Sequence, residues 1–236
     1  MNAVSLRNVS KTYHMGSIAV PAVVNIDLDI RPDCFTVISG ASGSGKTTLL
    51  NLIGCIDRPD TGEIRIKDSC VSAMSERKLT NLRLHGMGFI FQNFNLLPVL
   101  TAYENVEYPL LLAKMATPER RQRVTSMLDA VGLIDKASHR PDQLSGGQQQ
   151  RVAIARALVM SPDLVIADEP TANLDSETGA DIIRLMRRIQ KERKVAFVFS
   201  SHDQKVLAEA DDAVFIRDGK ITSMERREVS EQKRNA

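Results

Sequence analysis

At 236 residues, with 43% hydrophobic and 25% charged side chains, the chain suits one sizeable α/β domain, or a core domain carrying a subdomain, without covalent staples. Net charge is +2, from 31 basic and 29 acidic groups, so no global field favours nucleic acid or an anionic membrane surface. Cys34, Cys55 and Cys70 are odd in number and lack C-x-x-C spacing, which argues against a disulfide framework or zinc site and for a reducing cytosol; no run reaches the roughly 18 apolar residues of a spanning helix, so any membrane role needs another chain to span.

Residues 3–9 alternate, with Val4, Leu6 and Val9 apolar, and residues 23–30 alternate again at Val24, Ile26, Leu28 and Ile30. Both segments predict half-buried strands. Between them Tyr13 stands in a polar stretch, where its ring could stack on a nucleobase or simply lie on the surface. The apolar residues 35–38 then predict a buried strand and residues 48–53 an apolar-faced helix. The turn between them is Gly40-Ala41-Ser42-Gly43-Ser44-Gly45-Lys46-Thr47, which fits the phosphate-loop pattern G-x-x-x-x-G-K-[ST] at every fixed position, with Thr48 following it into the helix. Its glycines let successive N–H groups converge, and the helix N-terminus adds the positive end of its dipole, so a triphosphate would be bound mainly by main chain. Lys46 would reach the β- and γ-phosphates, and the Thr47 hydroxyl would ligate Mg²⁺.

Gly54 and residues 57–62 close that helix, and residues 63–66 read as another strand. Residues 88–91 form a short apolar run ending at Gln92, whose amide oxygen could meet a bound metal ion or its water. From about 93 to 160 the texture becomes a helical insert: Thr117-Pro118 reads as an N-cap followed by proline, and Val124, Leu128 and Val131 keep one stripe. Ser145 would cap the helix that Gly146, Gly147 and Gln148 open. Two adjacent glycines there suggest a close approach to the main chain, hence a second anion site. Residues 164–169 are four aliphatics leading into Asp168 and Glu169, a buried parallel strand that delivers acids to its C-terminal edge. Alternation would send the two carboxylates to opposite sides, Asp168 toward the Mg²⁺ shell and Glu169 toward the γ-phosphate and its attacking water. A helix is expected to about residue 192, then a buried strand over 195–199 that leads to His202, placed to bond the γ-phosphate. Residues 212–217 and 220–223 read as a final hairpin around Asp218-Gly219, and residues 224–236 as a charged, mobile tail.

Taken in order, the phosphate loop, Gln92, Leu144-Ser145-Gly146-Gly147-Gln148, the strand ending Asp168-Glu169, Asn173-Leu174-Asp175 and His202 resemble the ATP-binding cassette family over nearly the whole chain. The resemblance implies an α/β fold: a P-loop NTPase core with a mostly parallel sheet, an N-terminal antiparallel β subdomain and an inserted α-helical subdomain, making one ATPase domain over residues 1–223. It implies ATP and Mg²⁺ as ligands, Tyr13 stacked on adenine, Gln92 sensing Mg²⁺ and the membrane partner, Asp168 supporting the metal, Glu169 as general base and His202 on the γ-phosphate. It further implies a head-to-tail dimer in which Ser145, Gly146 and Gly147 of one copy close over ATP bound to the other, with Asp175 near the seam.

Within the family, residues 88–92, Leu96-Leu97-Pro98, Glu104-Asn105-Val106 and residues 168–175 look most like the branch serving lipoprotein-release and macrolide-export systems. The departures, Ala172 where glycine is common and Ser200-Ser201 where threonine is common, remove no functional group. A motor on the cytoplasmic face of the inner membrane is the leading expectation. It would act through integral permease subunits that dock near Phe94, Leu96, Leu97, Tyr103 and Tyr108, at least half of which would instead serve the insert's core. A cassette that regulates a signalling or division complex without moving cargo is the alternative. A soluble ATPase of DNA repair or translation would carry a long coiled coil or a second cassette, and neither is present.

Overall fold

The computed structural model describes residues 1–227, so most of the expected charged tail lies outside the described residues. The chain opens with two long strands, β1 (Val4–Met15) and β2 (Ile18–Ile30), followed by β3 (Phe35–Ser39), α1 (Lys46–Ile53), β4 (Thr61–Ile66) and β5 (Ser69–Cys70). Next come α2 (Glu76–Gly86), β6 (Met87–Ile90), α3 (Ala102–Leu112), α4 (Thr117–Ala130) and α5 (Gly146–Leu158). The C-terminal half contains β7 (Leu164–Asp168), α6 (Ser176–Arg193), β8 (Ala196–Ser200), α7 (Gln204–Ala208), β9 (Asp212–Arg217) and β10 (Lys220–Arg226).

These strands make two sheets. A four-stranded antiparallel sheet runs β2-β1-β4-β5, and a six-stranded sheet runs β10-β9-β3-β8-β7-β6. In the larger sheet β6, β7, β8, β3 and β9 are parallel neighbours, while β10 pairs antiparallel with β9. Only helices lie between β6 and β7.

Strand alternation assigns each residue of the central strands to one of two cores. Phe35, Val37, Val165, Ala167, Phe197 and Phe199 face the core shared with α3, α4, α5 and α6. Ile38, Leu164, Ile166, Ala196 and Val198 face the other way, into the core shared with α1 and the antiparallel sheet. Phe35, Phe197 and Phe199 are fully buried, and each contributes about 2 kcal/mol by leaving water. Phe35 meets Phe199 edge-on, with centroids 4.4 Å apart. Truncating any of the three would leave a cavity at the centre of the sheet, at a cost of about 3–5 kcal/mol.

Three expectations shift at element ends. β1 continues through the polar stretch to Met15, because the facing residues of β2 supply ladder partners, so Tyr13 is a strand residue opposite Val20. The cap of α4 is Ala116, with Thr117 and Pro118 inside the first turn. β10 outlasts its expected end at Ser223, since Met224, Glu225 and Arg226 pair with Val214, Ala213 and Asp212. No helix among the described residues is long and apolar enough to cross a membrane.

Candidate active site

α1 begins on the phosphate loop without any capping side chain. Its N-cap is Gly45, and its first turn carries no acidic residue. The first N–H groups and the dipole's positive end therefore remain available to an anion. Gly43 and Gly45 have φ of 77° and 103°, left-handed values that let the loop curl around its own N–H groups. At Gly45 a side chain is also excluded by packing: a Cβ would lie 2.3 Å from the Ala22 carbonyl oxygen of β2. The antiparallel sheet thus abuts the loop from outside.

Lys46 is buried and folds back over the loop, its Nζ donating to the carbonyls of Gly40 at 2.8 Å and Ala41 at 3.0 Å. The same ammonium lies 3.8 Å from Glu169 Oε1. Thr47, one residue on, places its hydroxyl 3.0 Å from Asp168 Oδ2. Across the sheet edge, His202 Nδ1 lies 3.1 Å from Glu169 Oε1, a hydrogen bond that requires the proton on Nδ1.

These groups share one open cavity of about 600 Å³. Ala41, Ser42, Gly43, Gly45, Lys46, Thr47, Thr48, Gln92, Asp168, Glu169 and His202 line it, together with Val20, Pro21, Ala22 and Ala172. β3, β7 and β8 all end here, so parallel register brings residues far apart in sequence to one edge. Gln92 is exposed at the rim, and its main-chain carbonyl accepts from Asn173 Nδ2 at 3.0 Å. Asp168 and Glu169 face the same cavity instead of opposite sides. β7 ends at Asp168, and Glu169 adopts φ 44°, which turns its side chain back toward Lys46.

The residues present fit both expected ligands. On the cavity side of the loop, α1 starts without a capping side chain, and the left-handed Gly43 and Gly45 line the cavity, so main-chain N–H groups there remain for phosphate oxygens. The Thr47 hydroxyl and Asp168 carboxylate form an oxygen-only donor set suited to Mg²⁺. Among the described residues no cluster of three or more His, Cys, Asp or Glu could hold a metal alone.

Tyr13 sits outside this cavity's lining, although its cross-strand partner Val20 belongs to it. The Tyr13 hydroxyl donates to Asp57 Oδ2 at 2.8 Å, and Lys11 Nζ lies 5.5 Å from the ring centroid. Burial and the bond to Asp57 push the Tyr13 phenol above its ordinary value. Partial burial works against the Asp57 carboxylate, but hydrogen bonds from Lys11, Tyr13 and the Arg58 N–H outweigh it and hold its pKa low. Gly40 and Ser44 lie on the loop's far side, beside a separate cavity of about 480 Å³ under β9 and β10.

Ser145, Gly146, Gly147 and Gln148 are likewise absent from the cavity. Ser145 and Gln148 form a reciprocal capping box: the Ser145 N–H donates to Gln148 Oε1 at 2.9 Å, and the Gln148 N–H donates to Ser145 Oγ. Gly147 has a reason within its own chain, since a Cβ there would lie 2.6 Å from Thr178 Cγ2 on α6. The glycine therefore does not by itself require a second anion. Two residues beyond the motif, the buried Gln150 donates from Nε2 to the Pro170 carbonyl at 2.6 Å, tying α5 to the segment after Glu169. A polar residue on the buried face of an apolar helix is the one sequence signal that could have found it.

A family model described as ABC transporter matches residues 23–172. An uncharacterized ABC transporter ATP-binding protein of Thermotoga maritima is 46% identical over 224 residues, covering 95% of both chains. The macrolide export ATP-binding/permease protein MacB of Brucella melitensis is 44% identical over 93% of this chain, which spans only 34% of that longer protein. An ATP-binding cassette of Methanocaldococcus jannaschii, solved as a dimer in a post-hydrolysis state bound to ADP and Pi, superposes with a TM-score of 0.87. It is 43% identical, and the match covers 94% of this chain and 98% of that one.

Proposed function

The chain belongs to the ABC transporter family and is an ATPase, and we propose that two copies bind MgATP head to tail and drive paired membrane subunits through a cycle of closure and reopening. One observation carries this reading. The phosphate loop, Asp168, Glu169 and His202 converge on one cavity, whereas Ser145, Gly146 and Gly147 lie apart from it on α5. If both sets touch one nucleotide, the second set comes from another copy.

In this reading the loop N–H groups and Lys46 hold the phosphates, and Tyr13 stacks on the adenine. Thr47 and Asp168 would hold Mg²⁺, with Gln92 lining the same cavity. The metal, when bound, neutralises charge on the β- and γ-phosphate oxygens. Glu169 takes the proton of the attacking water as the oxygen bonds to the γ-phosphorus, and the bond to the ADP oxygen breaks. His202, already paired with Glu169, steadies the γ-phosphate.

The membrane partner docks beside the segment after Gln92. Leu96 and Tyr103 pack against the helical core, but Leu97, Tyr108, Leu111 and Leu112 are exposed. A groove of about 420 Å³ opens there between Ile56, Phe89, Phe91, Pro109, Leu112 and Met160. Docking at this surface would place the ATPase on the cytoplasmic face of the inner membrane. The likeness to macrolide-export proteins supports a transporter of the lipoprotein-release or macrolide-export type.

Glu169→Gln tests the assignment. It keeps the size and polarity of the side chain, so the variant is expected to bind ATP and sediment as a dimer in its presence. Turnover should fall by about 10²- to 10⁴-fold. Wild-type turnover would remove Glu169 from the mechanism.

A further inference from the structure

β7 and β8 are parallel neighbours, and Asp168 stands directly beside Ser200. Ile166 and Val198 face α1, so period-two alternation sends Asp168 and Ser200 to that same face. Ser200 is fully buried at the end of a strand whose other side chains are apolar. Its hydroxyl makes two bonds of opposite sense. It donates to Asp168 Oδ1 at 2.6 Å and accepts the Glu169 N–H at 2.9 Å.

The second bond bears on an unusual backbone. Glu169 is a non-glycine residue at φ 44°, a left-handed conformation costing about 1–2 kcal/mol. Such conformations persist where the surroundings over-determine them. Here the N–H of the strained residue is held by a side chain one strand away, and the resulting kink aims the carboxylate at Lys46 and His202. The first bond orients the other carboxylate, which meets Thr47. A single hydroxyl therefore sets the spacing between the two acids.

We propose that Ser200 is a positioning residue for hydrolysis: by bridging the Asp168 carboxylate and the Glu169 N–H, it fixes the acid that supports the metal relative to the acid that takes the water's proton. The inference rests on the roles given to those two acids above. An apolar residue of similar size would fill the space, leave the Glu169 N–H without its partner and hold the Asp168 carboxylate by the Thr47 hydroxyl alone, whereas threonine would keep the bridging hydroxyl.

The test compares the full-length wild type with Ser200→Ala and Ser200→Thr, using Glu169→Gln as a control. Thermal unfolding, kcat and KM for ATP are measured, together with ATP affinity by titration calorimetry with EDTA and with Mg²⁺. Ser200→Ala is expected to lose about 10- to 100-fold in kcat, the scale of a displaced catalytic group, with little change in KM. Its metal-free ATP affinity should stay at the wild-type value while the gain on adding Mg²⁺ shrinks, and Ser200→Thr should restore both quantities. The inference is overturned if folded Ser200→Ala keeps wild-type kcat and the full Mg²⁺ gain, or if Ser200→Thr is as impaired as alanine. Should the alanine variant fail to fold, Ser200→Cys, which keeps the volume with a weak donor, is judged by the same two readouts. Wild-type turnover by Glu169→Gln would instead overturn the underlying roles, and an inactive Glu169→Gln beside a fully active Ser200→Ala would overturn only the part given to Ser200.

Discussion

Gly147 offers a substitution whose sign separates a packing demand from a backbone preference. It occupies the first turn of α5, where replacing glycine by alanine would ordinarily stabilise a helix by about 0.5–1 kcal/mol. The structure requires the opposite, because the new Cβ would lie 2.6 Å from Thr178 Cγ2. Thr178 cannot easily retreat. It is β-branched and sits in the first turn of α6, where its N–H is fixed by Asp175 Oδ1 at 2.9 Å. Overpacking of this kind costs about 1–3 kcal/mol, so Gly147→Ala should be destabilised by up to about 2 kcal/mol after the helix gain is subtracted. For a domain of this size each kcal/mol lowers Tm by about 2–4 °C. Thr178→Ser removes the offending methyl, so in that background Gly147→Ala should become neutral or stabilising, a coupling of about 1–3 kcal/mol in a double-mutant cycle. Thermal unfolding of the four proteins measures it. Additive effects of the two substitutions would refute the reasoning.

Two further predictions address other parts of the molecule. Tyr13→Ala should raise KM for ATP by the worth of one stacked base, about 1–3 kcal/mol, while Tyr13→Phe keeps the ring and loses only the bond to Asp57; steady-state kinetics would contradict stacking if alanine left KM unchanged. The partly buried Asp211 carboxyl is disfavoured as a charge by burial, but bonds from Arg187 and the Phe35 N–H outweigh this and depress its pKa. Its stabilising contribution is therefore complete above the unfolded value near pH 4 and disappears as pH falls through the depressed native value. Urea unfolding of Asp211→Asn against wild type should show a stability gap that is widest at neutral pH and closes in acid, and a gap independent of pH would exclude the linkage.

The chemistry was legible where it is local. The phosphate loop declares itself by a strand, three glycines and a helix, and four aliphatics running into Asp168-Glu169 announce a strand edge. Features that depend on a distant partner were not legible. α2 buries only Leu79, so it lacked the apolar stripe that would have predicted it. The polar half of β1 became strand because β2 paired with it, and alternation gave no sign of that. Gly147 looked like a demand for an approaching anion, whereas the methyl that excludes a side chain belongs to Thr178, 31 residues on by sequence number. Ser200 had no local signature at all. Its importance follows from register with Asp168, together with a left-handed Glu169 that no pattern of apolar residues encodes.

Whether each nucleotide is completed by a neighbour can be decided by complementation between two defective copies. One carries Lys46→Ala and lacks a working phosphate loop; the other carries Ser145→Arg and lacks a working α5 N-terminus. Each alone should be inactive. Mixed in equal amounts with ATP, they should recover up to about a quarter of wild-type hydrolysis, since half the randomly paired dimers hold one intact composite site. A mixture as inactive as its components, in which mixed dimers are nonetheless shown to form, would mean that each copy completes its own site and would contradict the account.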